Sequence, residues 1–97
     1  MIIVICKITL YSEKRKSPFT SGYRPAFIFD FMPWRISGKI DLINGESFPP
    51  GNTDIVKVTF LDEQIIVEKL KVGTKFTFDE VIGGALGEGE ILNIEIM

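Results

Sequence analysis

Ninety-seven residues make one small domain, 1–97, with room for a single hydrophobic core. At 45% apolar residues the chain is a folded globule and not a disordered tail. A net charge of -2 gives no bulk attraction to nucleic acid or to a membrane surface.

Taken in chain order, a two-residue hydrophobic period dominates. Ile2, Val4, Cys6, Ile8 and Leu10 fall on one face of a first strand, with Lys7 and Thr9 opposite. The basic run Lys14-Arg15-Lys16 follows in a loop. Phe27, Phe29 and Phe31 predict a three-aromatic face, backed by Ala26, Ile28 and Asp30. Trp34, Ile36, Gly38, Ile40 and Leu42 alternate with Arg35, Ser37, Lys39 and Asp41, which predicts one strand with Trp34 on its inner side. Val56, Val58 and Phe60 mark the next strand, Ile65-Ile66-Val67 another, and Phe76 with Phe78 a further one. The last strand runs from Ile91 to Met97, with Asn93 and Glu95 on its polar side. β-Branched and aromatic residues suit such half-buried pleated surfaces. Asn44-Gly45, Pro49-Pro50-Gly51-Asn52, Val72-Gly73 and Gly83-Gly84 supply the turns, and the run Gly83 to Gly89 reads as a connecting turn with a bulge. Short strands at this spacing predict an all-β, antiparallel barrel of about six strands.

Several residue runs carry a family resemblance. Ser17-Pro18-Phe19, two residues, then Gly22-Tyr23-Arg24-Pro25-Ala26-Phe27 is similar to Thr-Pro-Phe-x-x-Gly-Tyr-Arg-Pro-Gln-Phe, a pattern of the C-terminal (third) β-barrel domain of elongation factor Tu. Cys6 to Leu10 resembles that family's first strand, and Ser37-Gly38-Lys39-Ile40-Asp41-Leu42 resembles its Thr-Gly-Thr-Ile-Glu-Leu. Phe48-Pro49-Pro50-Gly51 stands where the family has a Met-Pro-Gly turn. Phe76 to Gly89 matches its glycine-rich stretch one residue short and without an Arg, and between Thr59 and Phe76 the chain is longer than the pattern. The resemblance implies the same small barrel, standing alone.

Chemistry is sparse. No Gly-x-x-x-x-Gly-Lys-Ser/Thr run exists, so the chain has no phosphate loop and no GTPase centre. It has no histidine, and Cys6 is the single cysteine, which argues against zinc and against a nucleophilic thiol with a base beside it. Gly87-Glu88-Gly89-Glu90 lacks the dense Asp/Asn ladder of a calcium loop. No enzyme activity, metal or cofactor is therefore expected. A lone cysteine, no bilayer-length apolar run and no secretory signal point to the cytoplasm.

The candidate binding residues are Lys14, Arg15, Lys16, Arg24 and Ser37. The resemblance places Arg15 and Ser37 at positions near the family's contact with the T-stem of transfer RNA, while Ala26 replaces a Gln there. Three cations in a loop suit backbone phosphates. Residues 1–50 carry seven Lys/Arg against four Asp/Glu, and residues 51–97 four against nine, an asymmetry of the kind that marks a partner-binding face, although sequence halves are not faces of a closed barrel. The missing Gln and Arg weaken an RNA surface, so the expected partner is a protein, with transfer RNA as the alternative. DNA and membrane are not expected partners, and the expected state is a monomer or weak dimer.

Overall fold

Alternation along the chain becomes a sheet in the computed structural model, which describes residues 1–60, 69–80 and 84–96. Seven strands form among these residues: β1 (Ile2–Leu10), β2 (Ala26–Phe29), β3 (Ile36–Ser37), β4 (Lys39–Leu42), β5 (Thr53–Phe60), β6 (Lys75–Asp79) and β7 (Gly87–Ile96). Their order is β3-β2-β6-β7-β1-β5-β4, every neighbouring pair antiparallel. The first and last members of that order, β3 and β4, are joined through Gly38 alone. The sheet therefore nearly closes on itself as a barrel, which removes most of the open edge a flat sheet would present.

Seven strands rather than about six follow from Gly38. The chain from Ile36 to Leu42 is one extended run that changes partner, from β2 before Gly38 to β5 after it. A Cβ at Gly38 would lie 2.7 Å from Cε1 of Phe60 and 2.8 Å from Cε1 of Phe27. Only a residue without a side chain lets the corner approach these rings.

The inner face is the one the alternation predicts for β1, where Ile2, Val4, Cys6, Ile8 and Leu10 are all buried. Burial pushes the Cys6 thiol up to about 12, which keeps it protonated and unreactive. Phe19, Phe27, Phe29, Phe48, Phe60, Phe76 and Phe78 fill the rest with Met32, Ile36, Ile40, Leu70 and Ile91, and half-buried Phe31 packs against them.

Two expectations are corrected within the strands. In β7 the residue facing the core is Ile91, while Leu92 is exposed, because the pairing with β1 slips between Ile5 and Cys6. Ile5 pairs with Asn93 but Cys6 pairs with Ile91, so Leu92 is the extra residue of a bulge that re-aims the strand. Gly87 and Gly89, expected in a turn, belong to β7 itself. They alternate inward with Ile91, and the rings of Phe78 and Phe76 occupy the space their side chains would take. The strand expected at Ile65-Ile66-Val67 lies outside the described residues, as does Gly83.

At the end of the barrel where β1 finishes, three loops pack on one another. Tyr11 N–H donates to the Leu86 carbonyl (2.8 Å), Gly51 N–H to the Leu10 carbonyl (2.7 Å), and Leu10 N–H to the Asn52 carbonyl (3.0 Å). Among the described residues no helix is long and apolar enough to cross a membrane.

Candidate functional site

A clasp forms where the basic loop meets the end of β6. Phe19 is anchored first: its N–H donates to the Phe48 carbonyl (3.1 Å) and the Phe48 N–H returns the bond (2.8 Å), with the two rings stacked 5.0 Å apart. Tyr23 also stacks on Phe19, at 4.5 Å. Above Tyr23 lies the Arg15 guanidinium, its Cζ 4.9 Å from the ring centroid, a cation–π contact. Arg15 Nε donates to the Ser17 carbonyl (2.9 Å), and its Nη1 forms an ion pair with Oε1 of Glu80, which also accepts from the Tyr23 hydroxyl. A shallow groove of about 380 Å³ is bounded by Arg15, Pro18, Phe19 and the turn from Thr20 to Tyr23.

Burial first, and the bond to the Glu80 carboxylate second, raise the Tyr23 hydroxyl well above the ordinary tyrosine range near 10. A proton is thus held in the fold at a pH where the unfolded chain loses it. The stabilisation is complete below about pH 10 and is lost as pH rises through the folded-state value. Tyr23→Phe should cost about 0.5–1.5 kcal/mol near neutrality, the range for one hydrogen bond at a partly exposed site. The same change should flatten the alkaline fall in stability. Tyr11, whose hydroxyl donates to Glu88 (3.0 Å), is also raised and keeps its own contribution in both proteins. Urea melts of both proteins between pH 8 and pH 11 check this; parallel curves would remove the Tyr23–Glu80 bond from the account.

The five residues picked out by sequence differ in their settings. Arg15 is drawn into the clasp. Lys14 and Lys16 are exposed, and Lys14 Nζ lies 4.0 Å from where a Cβ of Gly84 would be. Ser37 is exposed on β3 opposite Ala26, which in turn pairs with Asp79 of β6. Arg24 is exposed just before β2, with no ion-pair partner among the described residues. Lys39 is paired with Asp41 at 3.5 Å.

A second feature contradicts the inward placement of Trp34. Past β2 the Met32 N–H bonds back to the Phe29 carbonyl (3.1 Å), burying Met32 and stacking Phe31 on Phe29 at 5.2 Å. The turn breaks the alternation, so β3 starts only at Ile36 and Trp34 is left outside with 43% of its surface exposed. The flank is fixed by an ion pair between Arg35 and the buried carboxylate of Asp79. Arg35, Asp79, Glu80 and the exposed Trp34 were not among the sequence candidates. Their pairings join positions 44 and 65 residues apart, for which local spacing carries no signal.

Among the described residues no group of three or more His, Cys, Asp or Glu side chains could hold a metal ion. The class defined by these observations is a small, all-β antiparallel barrel with its distinctive side chains in loops. No protein-family model matches the chain.

Proposed function

We propose that this barrel is a non-enzymatic binding module, cytoplasmic, that docks a protein partner through the loop carrying Trp34. The observation behind this reading is the exposed indole itself, set between Pro33 and the pinned Arg35 on a loop rooted in the core by Met32 and Phe31. Tryptophan is the residue type most enriched among binding hot spots, and a rigid support lowers the ordering cost of using it. The resemblance to the third domain of elongation factor Tu supports the same conclusion, since that domain serves its family as a docking surface. The clasp argues against the transfer RNA alternative: the Arg15 guanidinium is already held by Glu80 and the Ser17 carbonyl.

Trp34→Ala should weaken partner binding at least about 30-fold, corresponding to about 2 kcal/mol for a hot spot, with little change in melting temperature. The test is capture from host lysate by the tagged chain, with and without ribonuclease, using the parent and Trp34→Ala proteins in parallel. A defined protein that survives ribonuclease and is lost with Trp34→Ala is the expected result. Enrichment of transfer RNA that vanishes with ribonuclease would replace this reading with the RNA one. For that outcome Lys14→Glu with Lys16→Glu is the informative variant, because Arg15→Glu would also set two carboxylates against each other at Glu80 and disturb the fold.

A further inference from the structure

The basic run is not used by a Trp34-centred interface, yet its geometry around Ser17 is specific. Ser17 is exposed, preceded directly by Lys14, Arg15 and Lys16 and followed by Pro18. The Arg15 side chain turns to this residue, with Nε 2.9 Å from the Ser17 carbonyl oxygen, while Nη1 is held by Glu80, the residue directly after β6. We infer that Ser17 is a phosphoacceptor, and that its phosphate takes Arg15 from Glu80 and so releases the clasp.

The donor is a nucleoside triphosphate bound by a separate protein kinase. Ser17 Oγ forms a bond to the γ-phosphorus, the bond from that phosphorus to the bridging oxygen breaks, and the nucleoside diphosphate leaves. The hydroxyl proton passes to the kinase. The product carries about two negative charges and three acceptor oxygens beside a guanidinium already bonded to the carbonyl of the same residue. Glu80 offers one charge and is 43% exposed, so it can turn to water when it loses the competition. Lys14 and Lys16, exposed and close to Ser17 along the chain, add two further positive charges. Release of Glu80 also removes the acceptor of the Tyr23 hydroxyl, so the loop loses both of its side-chain bonds to Glu80.

Two measurements test this. Phosphopeptide mapping of the chain isolated from its host through growth and stationary phase should find phosphate on Ser17; its absence throughout overturns the acceptor assignment. The chain made with phosphoserine at position 17 should then be titrated by phosphorus NMR, folded and in urea. The second phosphate pKa, ordinarily about 6, should be lower by at least about one pH unit in the folded protein. Glu80→Gln should lower it further, by removing the competitor, and Arg15→Gln should restore the urea value. A folded-state value equal to that in urea overturns the switch, as does a lowered value that Arg15→Gln leaves unchanged.

Discussion

Phe27→Ala is expected to remove about 3–5 kcal/mol of unfolding free energy, out of the 5–15 kcal/mol typical of a whole domain. Phe27 has no exposed surface and stands at the junction of the barrel's aromatic interior. Its ring meets Phe60 nearly perpendicularly at 5.1 Å, Phe76 at 5.3 Å and Phe78 at 6.0 Å, and it fills the hollow above Gly38. Truncation leaves a void that cannot easily collapse. Phe27 is tied on one side to Ile36 and on the other to Phe78 by strand pairing, so the backbone around the hole is held apart. The penalty therefore includes a cavity contribution beyond the lost transfer free energy. Guanidinium melts of Phe27→Ala and Phe27→Leu read the effect directly, the leucine variant losing less because it keeps more of the volume. A loss under about 1 kcal/mol for the alanine would mean that the ring does not fill the interior.

Gly89→Val should be destabilising to a comparable degree for the opposite reason. A Cβ placed there would lie 2.6 Å from Cζ of Phe76, 2.7 Å from Cγ2 of Ile8 and 2.9 Å from the carbonyl oxygen of Lys7. The last of these is backbone within the β1–β7 ladder, where Ile8 pairs with Gly89, and cannot move without breaking hydrogen bonds. Overpacking of this kind costs about 1–3 kcal/mol for a small addition, which is the expectation for Gly89→Ala. Valine, with two further methyl groups in the same filled space, should exceed that range. The entropy gained by restricting the unfolded chain, about 0.4–1 kcal/mol, is too small to reverse the sign. Trimming Phe76 to leucine in the Gly89→Val background should recover part of the loss, since the two positions share one space and their effects are coupled. Additive losses in that double variant would show that Phe76 is not what the valine meets.

The period-two pattern of β1 was fully legible, because each apolar position there faces a core that tolerates only apolar atoms. The pattern in β7 was only half legible. Leu92 and Ile94 look like the inward set when read alone, and only pairing with β1 reveals that a bulge makes Ile91 the buried one. The glycines of the same strand did leave a mark: Gly87, Gly89 and Ile91 keep one period, with Glu88 and Glu90 between them. A glycine in an inward position means that a neighbouring strand supplies the filling, here Phe78 and Phe76 from β6.

The candidate site was less visible. Arg15 stood out in the sequence as a cation in a loop, and the structure gives that cation a partner from the far half of the chain. The charge imbalance between residues 1–50 and 51–97 is resolved in the same way: Arg15 with Glu80 and Arg35 with Asp79 each join the basic half to the acidic one. What the amino-acid sequence determined by itself was the all-β class, the inner face of its regular strands and many of the breaks between them. These depend on local alternation and on turn residues whose backbone limits are intrinsic. What only the tertiary structure decided was the near-closure through Gly38, the bulge at Leu92, the outward turn of Trp34 and the clasp on Tyr23. Each of these depends on which distant segment arrives alongside, and a barrel brings together residues whose separation along the chain carries no information about their contact.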